Sequence, residues 1–183
     1  GLIYTGFHRD RHVVESIERD YEQFLVSCDY GTVNPTSMGL WGLFRGKWYR
    51  MREYYFDSRK EQRQKTDEEH YESLCALVGG LPIGKVIVDP SAASFMECIR
   101  RHRRFRVVAA SNKVLDGIRE VASHLQQGDL LFCDGCQDAI REFSLYRWDE
   151  KAGDDRPMKT DDHAMDDIRY FVRSAFGAGC VGF

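Results

Sequence analysis

At 183 residues, with 43% hydrophobic and 13% aromatic content, the chain is long enough to bury one sizeable core and too short for two ordinary domains. A formal net charge of −3 argues against a protein that coats nucleic acid by bulk attraction, because such binders carry a clear basic excess. No apolar run approaches the roughly 20 residues that span a bilayer, and the N-terminus lacks a basic-then-apolar leader, so a soluble intracellular protein without membrane contact is expected.

Residues 1–23 form a lead-in segment. From Phe24 the sequence Phe-Leu-Val-Ser-Cys reads as a strand that stops at Asp29, where Gly31 and Asn34-Pro35 signal a turn. Residues 39–44 and 48–56, joined by Arg45-Gly46-Lys47, read as a hairpin and give three consecutive antiparallel strands. The periodicity predicts a helix over 61–78, closed by Gly79-Gly80. A short apolar strand, 85–88, then ends at Asp89-Pro90. Ser91 is expected to cap a helix to about Arg103, 105–110 to form a buried strand, and Ser111 or Asn112 to cap a helix carrying Val114, Ile118, Val121 and Leu125 on one face. A strand at 130–133, a helix at 138–146, a flexible loop at 149–160 and a last helix over 162–176 complete the chain. That order implies a mixed sheet, antiparallel at first and parallel thereafter, flanked by helices, with ligands at the carboxyl ends of strands.

Of six cysteines, Cys28, Cys75, Cys98, Cys133, Cys136 and Cys180, several fall in apolar patterns, and free thiols are expected. Cys133 and Cys136 have the spacing of half a zinc site without a second pair to complete it. Two basic runs stand out, one of Arg100, Arg101, Arg103, Arg104 and Arg106, the other of Arg45, Lys47, Arg50 and Arg52. Most such runs are solvated faces.

Two aspartates at strand ends, Asp29 and Asp89, are joined by a helix that opens Asp162-His163-Ala164-Met165-Asp166-Asp167. His163 and Asp166, three apart, share a helix face, with Tyr170 one turn on, while Met165, Ile168 and Val172 turn to the core. Taken singly, each acid is more often a turn residue or an N-cap, and His163 an ordinary surface histidine. Jointly they match what phosphodiester hydrolysis needs: hard oxygen ligands for two Mg²⁺ or Mn²⁺ ions about 3.5–4 Å apart, and a histidine to orient water, bind metal or move a proton. Asp166 or Asp162 would complete such a cage.

The same residues resemble the C-terminal nuclease domain of the large terminase subunit of tailed bacteriophages. The likeness rests on Gly1-Leu2-Ile3-Tyr4 with Phe7 and His12-Val13-Val14, on Val26-Ser27-Cys28-Asp29-Tyr30-Gly31-Thr32, and on Val86-Ile87-Val88-Asp89-Pro90-Ser91. Asp116-Gly117-Ile118-Arg119, Ile140-Arg141-Glu142-Phe143, Tyr146-Arg147-Trp148 and the run from Asp162 to Tyr170 follow in order. The resemblance implies a ribonuclease-H-like fold, a single nuclease domain over 1–183, and two Mg²⁺ or Mn²⁺ ions held by Asp29, Asp89 and Asp166, with His163 preceding the last. It implies an endonuclease that cuts concatemeric viral double-stranded DNA in the cytoplasm of the infected host, with the small terminase subunit and the portal of the procapsid as partners; the isolated domain is expected to be monomeric. Where this chain has Asp167 the family often has alanine, so the third acid stays open. The family's ATPase requires a Gly-x-x-x-x-Gly-Lys-Ser/Thr loop, which this sequence lacks, and no ATP hydrolysis is expected of it. The rivals are a Holliday-junction resolvase of the same fold and a non-catalytic module that docks DNA through Arg100 to Arg106. A transposase would normally place a glutamate third.

Overall fold

The structure, a computed structural model, describes residues 1–176; Cys180 lies outside them. The lead-in holds a one-turn helix, α1 (Arg9–His12), and a two-residue strand, β1 (Val13–Val14). The antiparallel trio follows as expected: β2 (Gln23–Asp29), β3 (Thr36–Phe44) and β4 (Lys47–Phe56). Between β3 and β4, Arg45 and Gly46 both take positive φ, 50° and 78°, the pair of left-handed positions that matches a tight hairpin to the twist of its strands.

The helix expected over 61–78 starts later. A separate turn, α2 (Ser58–Glu61), is capped by Asp57 and ends where Gln62 takes left-handed backbone. Helix α3 (Asp67–Val78) then starts behind a capping box, in which Thr66 and Glu69 each accept the other's backbone N–H. Next come β5 (Ile83–Val88), α4 (Ala93–His102), β6 (Val107–Ala109), α5 (Val114–Gln127), β7 (Leu130–Cys133), α6 (Gln137–Phe143) and α7 (His163–Phe176). Two expected caps are absent. Ser91 turns both its backbone N–H and its hydroxyl onto Asp89 instead of α4, and α5 begins after Lys113 without a side-chain cap, leaving Asn112 to accept from Arg169.

One seven-stranded sheet results, in the order β1-β7-β4-β3-β2-β5-β6. Strands β5 and β6 run parallel to β2, while β7 runs parallel to β4 and β1 to β7, so the mixed character read from the element order holds. Strand alternation sends successive side chains to two cores. Leu25, Trp41, Trp48 and Ile87 face α5, α6 and α7, with Trp41 stacked on Phe171 at 3.9 Å. Val26, Cys28, Met38, Leu40, Val86 and Val88 face α3 and α4.

The parallel pairing of Cys28 with Val88 puts Asp29 and Asp89 at the same end of neighbouring strands, and antiparallel pairing brings Ser37, near the start of β3, opposite Asp29. The basic run at Arg100 to Arg106 is exposed and leads into the amino end of β6, at the other end of the sheet. The second run is not a run in space, because Arg50 is fully buried.

Candidate active site

Asp29, Asp89, Asp162, His163 and Asp166 line one cavity of about 610 Å³, together with Tyr30, Asn112, Arg169 and Tyr170. Residues Asp154 to Lys159, within the expected flexible loop, form part of its wall, and a bridge from Trp148 to Pro157 folds that segment back on itself. All four residues singled out from the sequence therefore meet in one place.

Asp29 ends β2 with 8% of its surface exposed, and His163 Nδ1 lies 3.1 Å from its Oδ2. Burial pushes the Asp29 carboxyl up to about 6 against the pull of His163. Burial alone would lower the His163 imidazole, but the Asp29 hydrogen bond, Asp162 at 3.4 Å from Nε2, and Glu142 outweigh it and raise the group to about 9. At neutral pH His163 is thus an imidazolium facing a carboxylate. Asp89 is half-buried and accepts both donors of Ser91 at 2.9 Å, which fixes its orientation.

Asp166 sits one turn into α7. Burial raises its carboxyl well above the usual range, Asp29 and Asp162 add repulsion, and Arg169 opposes them through a contact of 3.2 Å between Nη2 and Oδ1. Still, 21% of the Asp166 side chain reaches the cavity. Arg169 is 3% exposed and also donates to Asn112 at 3.3 Å from both terminal nitrogens. Room for it comes from Gly117, where an added Cβ would overlap Arg169 Cγ.

Asp167, the acid left open by spacing, turns the other way. It is fully buried and accepts from Ser27 Oγ (2.7 Å), Ser37 Oγ (2.5 Å), and Arg50 Nη1 (2.6 Å) and Nη2 (3.0 Å). Its lone pairs are filled by donors from β2, β3 and β4, so it pins α7 to the strand that carries Asp29 rather than facing the cavity. Gly39 makes this possible, since a Cβ there would overlap Arg50 Nη1. Glu53 accepts from the third Arg50 nitrogen, Nε, at 3.1 Å and also from the backbone N–H groups of Asp138 and Ala139 at the start of α6.

A residue that spacing missed is Glu142. Fully buried on α6, it accepts the backbone N–H groups of Ala164 (2.8 Å) and Met165 (3.1 Å) and the Tyr55 hydroxyl (2.6 Å), so it caps the helix that bears His163 and Asp166. Burial pushes its carboxyl up to about 7 despite those donors. The sequence held one signal: Glu142 occupies the same helical stripe as Ala139, Phe143 and Tyr146, all buried.

As placed, Asp29, Asp89 and Asp166 are each held by a partner from the chain, and the three do not close on a single point. Among the described residues, the trio of metal-capable atoms lying within 4.8 Å of one another is Glu68, Cys98 and His102, on α3 and α4.

No protein-family profile matches the chain. The large terminase subunit of Escherichia phage T5 is 24% identical over 187 residues, which cover 95% of this chain and 42% of that protein. The solved large terminase of a thermophilic bacteriophage, in complex with ADP, is 49% identical with a TM-score of 0.94, covering 97% of this chain and 46% of that one. The chain thus spans less than half the length of either. The nuclease domain of the P22 large terminase superposes with a TM-score of 0.75 at 18% identity, covering 96% of this chain and 93% of that domain. That of bacteriophage SPP1, solved with bound Mn, gives 0.58 at 19%, covering 93% and 97%. The chain is therefore similar in sequence to phage large terminases, and it carries the ribonuclease-H-like mixed sheet of their nuclease domains.

Proposed function

We propose that this chain is a divalent-metal-dependent endodeoxyribonuclease that cuts concatemeric viral double-stranded DNA during genome packaging. The observation that carries the reading is the convergence of Asp29, Asp89, Asp166 and His163 on one cavity at the carboxyl ends of two parallel strands, in a chain similar to large terminases. The donor set fits a hard cation: three carboxylates offer oxygen alone, and burial, with repulsion from neighbouring acids added to it, raises Asp29 and Asp166 in a way that a bound cation would relieve. The Mn in the SPP1 nuclease domain supports the same ion class. In this proposal Asp29, Asp89 and Asp166 hold two Mg²⁺ or Mn²⁺ ions, which when bound supply an activated water and neutralise charge at phosphorus.

The chain's own residues do the rest. Ser91 aims Asp89, Arg169, itself held by Asn112, orients Asp166, Glu142 caps the start of α7 from α6, and Asp167 fixes that start against β2. His163 holds a proton beside Asp29 and keeps that carboxyl ionised. The working context in this proposal is the infected bacterium's cytoplasm, with the small terminase subunit and the portal as partners. No helix among the described residues is long and apolar enough to cross a membrane.

Plasmid incubated with the chain and Mn²⁺ should be cut. The same mixture with EDTA, or with Asp29→Ala, should slow by more than ~100-fold. DNA intact under all three conditions would refute the enzyme reading. A preference for four-way junctions over linear duplex would contradict the packaging role.

A further inference from the structure

Between α3 and α4, away from the aspartate cavity, a carboxylate, a thiol and an imidazole come together. Cys98 and His102 are four apart on α4, so helical periodicity stacks them on one face, and Glu68 in the first turn of α3 meets both. The carboxylate takes one hydrogen bond on each oxygen: Cys98 Sγ donates to Oε1 at 3.2 Å, and His102 Nε2 lies 2.7 Å from Oε2. Tyr71 stacks on the His102 ring at 3.8 Å and sets its plane. Cys98 is 6% exposed, whereas the Glu68 and His102 side chains are 63% and 37% exposed, so the trio is open to solvent on one side and backed by core on the other.

We infer that Glu68, Cys98 and His102 form a second metal site, for a borderline divalent ion such as Zn²⁺, distinct in chemistry from the three carboxylates of the aspartate cavity. Sulfur, imidazole nitrogen and carboxylate oxygen are the ligand types Zn²⁺ takes, with a fourth position left to water, whereas Mg²⁺ and Mn²⁺ favour oxygen. On binding, the ion replaces the Cys98 thiol proton, which passes to solvent. His102 binds neutral through Nε2, and thiolate plus Glu68 carboxylate balance the two positive charges. Burial and Glu68 push the Cys98 thiol up, and Arg101 pulls the other way, toward the thiolate. The nearest charges of the basic run are already partnered, Arg100 and Arg101 by Glu97 at 4.0 and 3.4 Å. A bound ion would tie two helices of the second core together and stabilise the chain by mass action.

The test titrates the intact chain with Co²⁺, a coloured stand-in for Zn²⁺, in excess Mg²⁺ so that the oxygen site is filled. The expected result is a thiolate-to-cobalt charge-transfer band that saturates at one equivalent, is displaced by Zn²⁺, and disappears in Cys98→Ser. His102→Ala and Glu68→Gln, at exposed positions that leave the fold intact, should each weaken binding by at least ~10-fold. The proposal is overturned if no such band forms, if the band survives Cys98→Ser and so belongs to another thiol, or if both surface variants bind as tightly as the parent. Plasmid cleavage in Mg²⁺ is expected to be unchanged by Glu68→Gln, so loss of this site and loss of the nuclease reading are told apart.

Discussion

Asp166 and Asp167 are neighbours on α7, and each faces an arginine, but the two pairs are built for opposite purposes. Arg50 and Asp167 are both 0% exposed, bonded at 2.6 and 3.0 Å, with Ser27 and Ser37 filling the other lone pairs. Arg169 and Asp166 touch through one contact of 3.2 Å, 21% of the acid reaches the cavity, and Asp29 repels it. Consecutive helical residues point roughly 100° apart, so one turn of α7 can send one acid into the sheet and the other over the strand tips. A carboxylate with all its lone pairs occupied is a fixture; one with spare lone pairs and raised proton affinity is available to a ligand.

The change that should break this contrast most sharply is Asp167→Ala. It strands a buried guanidinium, and removing one partner of a buried ion pair costs about 3–5 kcal/mol, a large part of the ~5–15 kcal/mol that holds a domain together. Its urea midpoint should fall far below that of the parent. If Asp166→Ala and Asp167→Ala lost equal stability, the two acids would not differ in role as described.

Next in size is the carboxylate of α6 that caps this helix, Glu142. Its carboxyl is raised from 4.5 to about 7 in the folded chain. A folded-state value above the unfolded one means the native state binds the extra proton, so the contribution is full below about 4.5 and is lost as pH rises through 7. His163 adds the same sign higher up, full below 6.5 and lost as pH rises through about 9. In EDTA the chain should therefore lose stability steadily from about pH 5 to 9. Glu142→Gln keeps an acceptor for Ala164 and Met165 without the charge. It should flatten the lower part of that decline and gain on the order of 2 kcal/mol at pH 8 relative to the parent. Thermal melts across the range would show it. A parent whose melting point rises over this interval would contradict the buried, proton-holding cap.

Much of this was legible in the sequence. Asp29 and Asp89 could be placed at strand ends because Gly31 and Pro90 stop the strands just beyond them. The antiparallel trio and the last helix followed from period and turn residues. The start of α3 was readable too, in the Thr66-x-x-Glu69 box, but the charged run before it extended the helical pattern too far. What local spacing could not separate was the set Asp162, Asp166 and Asp167, since all lie near one helix start. The partners that separate them, Arg50, Ser27 and Ser37, are 117, 140 and 130 residues from Asp167. One clue did exist: Arg50 lies two residues from the buried Trp48, on the same face of β4, and an inward arginine needs a buried acid.

The smallest change in stability should accompany the largest change in chemistry, at Asp166→Asn. The substitution removes a charge that Asp29 repels but also gives up the ion pair with Arg169, so without metal the two effects offset and stability should move by less than ~1 kcal/mol. Cleavage in Mn²⁺ should fall by more than ~100-fold, because a neutral amide is a poor ligand for a hard cation. Mn²⁺ should raise the melting point of the parent and not of the variant, since an ion that binds only the native state stabilises it in proportion to its occupancy. An Asp166→Asn chain that is badly destabilised yet still cuts DNA would reverse the assignment: Asp166 would then be the fixture, and the search for the third metal ligand would move to Asp162, which lines the same cavity with 15% of its side chain exposed.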